Sequence, residues 1–419
     1  MMNTTANARI NPHAQAARAI RRRTGLDQAE RDGLSDSLRG RDVLCFSHDW
    51  SGDPLSKNHL MRALARDNRI LWVNSIGYRA PTASAADISR ALKKLAAALD
   101  PIREVERNIF VLNPLAIPAY GRAGAREFNR HFLRWQIKRA MRRLGFSRAV
   151  NFIFNPPAAL IAGALDEDKL IYYCVDEYKA FTGVAADSLA EMEESLCRRA
   201  DMVIVSADEL YKSKARFNTN THLIRHGVDF EHFRRALDSS TEVSAEITRL
   251  SRPVIGFHGL IADWVDLELV ARIARTFAEG SVALVGKTTT DVSALERLPN
   301  VHLLGRKPYA DLPAFCKGFD VAINPFRINE LTLNANPLKV REYLAAGLPV
   351  ISTPVPEVIH MKHCRIANGP DEFTREIKRA LDDPGPKAAR SELMRAESWE
   401  AKVDELRRYF AQSIERCQR

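Results

Sequence analysis

The chain has 419 residues, 46% of them hydrophobic and 27% charged, which excludes a mostly disordered, collagen-like or small disulfide-stapled protein and suits two to three domains. No run approaches the roughly 18 apolar residues of a membrane-spanning helix. Lysine plus arginine number 62 against 52 for aspartate plus glutamate, and the net charge of +10 favours an anionic partner: nucleic acid, a phospholipid surface or a phosphorylated small molecule.

Residues 1–40 are polar with weak periodicity and read as a flexible N-terminal extension. Arg21-Arg22-Arg23 is not followed by an apolar stretch, so no secretory leader is expected. Ordered structure is expected from the strand Val43–Ser47. The loop His48–Lys57, with Gly52 and Pro54, leads to a helix over Asn58–Arg66 and a strand over Ile70–Asn74. Further strands are expected at Ile109–Leu112, Ala149–Phe154, Leu170–Val175, Met202–Ser206 and His222–Ile224, with helices at Arg126–Leu144 and Leu189–Arg199. Arg234–Arg252 reads as a polar, helical linker. A second series follows: strands Pro253–Phe257, Ala283–Val285, Val301–Leu303, Val321–Ile323 and Val350–Ser352, with a helix over Pro337–Ala346. The chain closes on an amphipathic helix, Ala396–Arg416, with Trp399, Val403, Leu406 and Phe410 on one face.

Strand–helix alternation implies an α/β protein with two doubly wound, Rossmann-like domains facing a central cleft. The expected division is 41–235, a linker 236–252, a second domain 253–390, and a C-terminal helix 391–419 packing back toward the first domain. Six cysteines (Cys45, Cys174, Cys197, Cys316, Cys364 and Cys417) form no C-x-x-C pair and no metal-like spacing with histidines. Reduced, buried thiols in a cytoplasmic protein fit that pattern.

In Val321–Glu357 a strand ends at Asn324-Pro325, and after a polar loop a helix starts near Asn336-Pro337, where Asn can cap and Pro suits the first turn. Lys339 and Glu342 then share one face near a helix N-terminus, whose free N–H groups suit a phosphate. The carboxylate one turn in can accept the two hydroxyls of a ribose. An ordinary helix with a surface Lys–Glu pair has the same pattern. Asp176 follows the apolar run Leu170–Val175, at a strand end where a general base or a helix cap would sit. His48-Asp49-Trp50 follows the first strand; its indole suits either stacking on a sugar or core packing. Val285-Gly286-Lys287-Thr288 is a strand-to-helix turn rather than a phosphate loop, because Ser281 stands where the first glycine is required. Asp166-Glu167-Asp168 reads as a solvated surface loop. Arg126, Arg130, Arg134, Lys138 and Arg142 recur every four residues beside Phe128, Phe132 and Trp135. Such a stripe lies on an anionic membrane or is a solvated charged face.

The segment NPLKVREYLAAGLPV, 336–350, resembles the donor-binding segment of GT-B glycosyltransferases, in particular glycosyltransferase family 4 (group 1). Asn300–Gly305, Tyr309, Leu312 and Phe319–Val321 match the family's run into it. Cys197–Ser206 and His226–Asp229 with Phe233 resemble the close of its N-terminal domain. The resemblance covers roughly residues 41–415. Where many members carry two glutamates eight positions apart, this chain has Asn334 and Glu342. Gly256–Trp264 holds neither the Arg nor the Lys the family uses there for the diphosphate. A weaker similarity to the xanthan glucuronosyltransferase rests on His59, Asp176, His226–Asp229 and Lys339.

The resemblance implies transfer of a hexose from a UDP- or GDP-linked sugar to a lipid-linked or growing glycan acceptor in cell-surface polysaccharide synthesis. It implies Asp176 as catalytic residue. The donor would be bound by Gly259, Asn334, Asn336, Lys339 and Glu342, with no cofactor and no metal. The acceptor side would hold His48, Asp49, Trp50, His59 and His226. It further implies a cytoplasmic enzyme lying peripherally on the inner face of the plasma membrane, with no nucleic-acid partner. The alternatives are a nucleotide-sugar epimerase of the same fold and a non-catalytic glycan- or membrane-binding protein.

Overall fold

A computed structural model describes residues 38–75, 102–117, 123–180 and 186–418, with backbone alone for 123 and 414–418. The expected extension therefore falls, up to residue 37, outside the described residues, as does the side chain of Cys417.

The first sheet holds β1 (Asp42–Phe46), β2 (Arg69–Val73), β3 (Ile102–Glu106), β4 (Ile109–Leu112), β5 (Val150–Ile153), β6 (Lys169–Cys174), β7 (Met202–Val205) and β8 (Thr221–Leu223). Their spatial order is β3-β4-β2-β1-β5-β6-β7-β8. All neighbours are parallel except β3 and β4. Strands such as MVIV in β7 are apolar at every position, as burial on both faces requires. Successive side chains alternate between two cores. Leu44, Phe46 and Leu71 meet Leu133, Ile137 and Leu196 on one face. Val43, Cys45 and Trp72 meet Leu60, Leu64 and the C-terminal helix on the other.

The helices of seven residues or more are α1 (Ser56–Leu64), α2 (Ala123–Leu144), α3 (Ala186–Arg199), α4 (Asp208–Lys214), α5 (Leu267–Thr276), α6 (Leu312–Gly318), α7 (Leu338–Ala345), α8 (Pro370–Asp382) and α9 (Trp399–Gln418). The second sheet, β9 (Val254–His258), β10 (Ser281–Val285), β11 (Val301–Gly305), β12 (Val321–Asn324), β13 (Val350–Ser352) and β14 (Cys364–Ile366), has the order β11-β10-β9-β12-β13-β14. Every pair in it is parallel. It is the doubly wound order whose reversal between β9 and β12 opens a crevice at the strand C-termini.

α9 belongs to the second half in sequence and to the first in packing. Trp399, Val403, Leu406 and Phe410 are buried among Leu60, Met61, Leu64 and Tyr173. Each such side chain contributes about 1.5–3 kcal/mol on burial.

One strand is added to the sequence reading and two readings need correction. Ile102–Glu106 forms an antiparallel edge strand, hidden in the sequence because its charged residues face outward. The stretch 234–252 is not a continuous helix: only the single turns Arg235–Leu237 and Ala245–Thr248 are helical beyond Arg234. Ile247 there is buried in the second domain's core against Gly318, so the segment packs along that domain. Asp166–Asp168 is a pinned turn rather than a solvated loop. Asp168 binds Arg41 and Arg148, Glu167 accepts the N–H groups of Gly163 and Leu165, and Asp166 holds Lys138.

Candidate functional site between the two sheets

The C-terminal ends of both sheets face one another. Several direct contacts tie the two halves there. Asn336 Nδ2 donates to Ser206 O at 2.6 Å, and His226 Nδ1 lies 2.9 Å from Asn336 O. Glu357 accepts the backbone N–H of Asp208 at 2.7 Å and the Arg225 side chain at 2.7 Å. Arg306 makes a two-point ion pair with Asp53 at 2.9 and 2.7 Å.

On the second domain's side, β9 ends in His258-Gly259. Gly259 has φ +130°, and a Cβ there would come within 2.8 Å of Lys339 Cε. Gly286 at the end of β10 has φ +158°, and a Cβ there would meet Gly259 O at 1.9 Å. Two glycines are therefore needed for the loops to close around the lysine. The Lys339 ammonium lies 4.3 Å from the Phe326 ring centroid and 5.0 Å from that of Phe257. Burial lowers its pKa to about 8, against the attraction of Glu342. Burial likewise raises Glu342 to about 8, with Lys339 opposing and Asp229 adding to the shift. His258 Nε2 is 3.7 Å from Glu342 Oε2, and burial, then Lys339, pushes its pKa down to about 3. The Tyr343 hydroxyl receives the His258 N–H at 2.7 Å and donates to His258 O at 3.2 Å. This locks β9 to α7. Pro337 provides no side-chain cap for α7, so that N-terminus keeps donors for an anion.

On the first domain's side, Asp176 stands just past β6. Burial raises its pKa, and Lys57 in the first turn of α1 opposes the rise. Lys57 is 8% exposed, and desolvation lowers it while Asp176 pulls it back up. Beneath them, Lys214 of α4 pairs with Glu177 at 3.2 Å and Glu193 at 2.7 Å. Glu193 also accepts from Tyr172. This buried triad anchors the turn that carries Asp176.

The other sequence-derived candidates divide. His48 reaches the cleft: its Nδ1 is 3.0 Å from Ser47 Oγ, and burial, then Lys57, pushes it down to about 4. Asp49 is exposed and holds the loop, accepting the Ser75 N–H at 3.1 Å. Trp50 packs edge-on against Trp72 at 4.8 Å beneath Arg62. His59 is buried in an aromatic column, 5.9 Å from Trp399 and 5.4 Å from Tyr309. Its Nδ1 is 3.9 Å from Asp229. Asn334 closes a helical turn, donating to Glu330 O at 2.8 Å. Asn336 bridges the halves and accepts from Arg341 at 2.5 Å. In α2, Arg126, Arg130, Arg134 and Arg142 are exposed while Lys138 pairs with Asp166. Phe128 and Trp135 are about half exposed, at 51% and 54%. Among the described residues no helix is long and apolar enough to cross a membrane.

His48, His226 and His258 each bury Nε2 with no hydrogen-bond partner among the described residues. Buried polar atoms are normally paired. They are three of nine such buried side-chain atoms among the described residues, so these strand ends carry hydrogen-bonding capacity that the fold does not use. Lys57 and His258 escaped the sequence reading as site residues. Lys57 did leave a signal, since a cation in the first turn of a helix opposes the helix dipole and needs another reason to be there.

Residues 252–383 match the family Glycosyl transferases group 1. A putative teichuronic acid biosynthesis glycosyltransferase, TuaH of Bacillus subtilis (strain 168), is 26% identical over 281 residues, covering 61% of this chain and 70% of that protein. The structure of a sucrose-phosphate synthase from Thermosynechococcus elongatus superposes with a TM-score of 0.62 at 15% identity, covering 89% of this chain and 98% of that one. Anabaena HepE, solved in complex with UDP and glucose, gives 0.58 at 12% identity, covering 87% and 98%. The structural likeness is one of fold: two doubly wound domains around a cleft, the GT-B arrangement.

Proposed function

We propose that this chain, whose residues 252–383 match the group 1 glycosyl transferases, is a glycosyltransferase that moves a hexose from a UDP- or GDP-linked sugar to a lipid-linked or growing glycan acceptor. The carrying observation is the cleft itself, with Lys339, Glu342 and the N-terminus of α7 on one wall and Asp176 with Lys57 on the other. The diphosphate meets the Lys339 ammonium and the α7 N–H groups, so its charge is countered by the protein rather than by a metal ion. Glu342 takes the ribose hydroxyls. The first domain brings the acceptor hydroxyl to Asp176, whose carboxylate removes the proton as the sugar–diphosphate bond breaks.

The TuaH relative supports a place in cell-surface polysaccharide synthesis. Exposed Phe128 and Trp135 beside Arg126, Arg130, Arg134 and Arg142 support peripheral contact of α2 with an anionic membrane. The test of the function is a thermal-shift screen of nucleotides and nucleotide sugars. A ligand bound only by the native state raises the melting temperature, and a UDP- or GDP-linked sugar is expected to raise it most. A screen in which no nucleotide shifts the transition contradicts the reading.

A further inference from the structure

Lys57 and Asp176 are 119 positions apart in the sequence, yet the Lys57 ammonium lies 5.9 Å from the ring of Tyr178, two residues beyond Asp176, and each charge acts on the other. Lys57 is more than nine-tenths buried, and its ammonium makes no hydrogen bond or ion pair among the described residues. The Asp176 carboxylate likewise accepts no hydrogen bond there. A buried charge is costly unless it is paired. Two opposite charges that attract each other and yet stop short of contact leave a seat between them. The Tyr178 ring, 5.9 Å from Lys57 Nζ, closes one side of the ammonium. Tyr178 is itself pinned by its hydroxyl to Phe154 O.

We propose that Lys57 is a second catalytic residue, its ammonium donating a hydrogen bond to the acceptor oxygen whose proton Asp176 removes. The inference rests on the glycosyl-transfer reading above. As the acceptor oxygen bonds to the anomeric carbon, the bond from that carbon to the diphosphate oxygen breaks. The electron pair leaves on the nucleoside diphosphate, and the hydroxyl proton passes to the Asp176 carboxylate. Lys57 holds the oxygen in line and keeps Asp176 ionised and ready to accept. The groups around the pair are few. Cys45 and His48 face Lys57 from the β1 side, and Cys174 faces it from β6. His226 approaches from beyond β8. Burial holds both thiols protonated and both imidazoles neutral near pH 7. Glu177 is turned away onto Lys214. Asp176 is thus the charge that Lys57 answers.

The test reads Lys57 directly, by competitive acetylation with acetic anhydride across a pH series, followed by peptide mass spectrometry. In Asp176→Asn, which is nearly isosteric, the labelling midpoint of Lys57 is expected to fall by about one pH unit or more, the usual size for loss of a close opposite charge. In Asp53→Asn, at the cleft mouth, it should stay. An unchanged midpoint in Asp176→Asn overturns the proposal. The second measurement is hydrolysis of UDP-glucose, with water in the acceptor's seat. Lys57→Met should lower kcat at least about tenfold without changing donor KM, and move the acid limb of the profile to higher pH. Lys57→Arg should restore the limb. A normal rate and profile in Lys57→Met also overturns the proposal. Wild-type hydrolysis in Asp176→Asn would instead sink the base assignment of the broader reading, leaving the labelling result to stand alone.

Discussion

The two walls of the cleft are built on different plans. On the second domain's side the charged groups come from one short stretch, Lys339 to Glu342, and are clamped by Phe257, Phe326 and two close-packed glycines. On the first domain's side they come from distant elements: Lys57 from α1, Asp176 from β6, His48 from β1 and His226 from beyond β8. A nucleotide is a constant ligand, and a wall made from one helix and its neighbouring loops serves it. The proposed acceptor wall, assembled from three strand ends and a helix, can change one residue at a time. On the proposed roles, the difference teaches that donor binding is a local property and acceptor chemistry a tertiary one.

The sharpest way to break this contrast is Asp176→Asn. If the acceptor wall carries the proton transfer, turnover should fall by about 10²–10⁴, while nucleotide affinity and melting temperature stay near wild type. A parallel loss of nucleotide binding, measured by calorimetry, would mean that the walls are not separable.

A second measure concerns α2, on the first domain's outer face. Replacing Arg130 and Arg134 by Glu should release the protein from anionic vesicles, since each basic residue near such a surface contributes about 1 kcal/mol. Lys138 was read as part of the same stripe. It pairs with Asp166 and is only 22% exposed, whereas Arg130, though paired with Glu127, is 48% exposed, so Lys138→Glu is the weaker change. Unaltered co-sedimentation of the double variant would remove the membrane from the account.

Glu342→Gln sharpens the donor side. Burial raises Glu342 to about 8 from 4.5, so between those values the folded chain holds a proton that the unfolded chain has lost. Wild type therefore loses stability as pH rises through that window. Gln mimics the neutral carboxyl. The variant should melt with wild type near pH 4.5 and several degrees above it by pH 9. Equal melting at both ends would place Glu342 in a solvated setting.

The smallest effect is expected at the mouth of the cleft. Arg306 and Asp53 are about half exposed and join the two halves. Exposed pairs contribute about 0–1 kcal/mol, so Arg306→Ala should barely move the melting temperature. A large drop would show that the halves are held together at the rim rather than through Asn336 and Glu357.

The contrast between the walls also explains what the sequence made legible. The parallel sheets were readable because buried strands such as IFVL and MVIV are apolar throughout. Lys339 and Glu342 were readable because their spacing alone puts them on one helix face. β3 was not, since IREVE has no fully buried residue and pairs only along one edge. Lys57 left only the oddity of a cation in a helix's first turn, because its partner lies 119 positions away and no local period links them. His59 was legible as a cleft residue, but not as a member of the Trp399–Tyr309 column, which exists only once α9 has folded back. The stretch 236–252 looked like a linker because it is polar. It is anchored by buried Ala236 and Ile247, with Val243 and Leu250 packed against the same core.

The central claim, that the cleft holds a nucleoside diphosphate through Lys339, is tested most directly by calorimetry. UDP, GDP and the matching nucleosides would be titrated into wild type and Lys339→Ala at pH 7, where Lys339 is charged. A charged hydrogen bond is worth about 1.5–3 kcal/mol. The account predicts that the variant loses roughly tenfold to a hundredfold in affinity for the preferred diphosphate while the nucleoside binds as before. Equal losses for diphosphate and nucleoside, or no binding of either diphosphate to wild type, would contradict it.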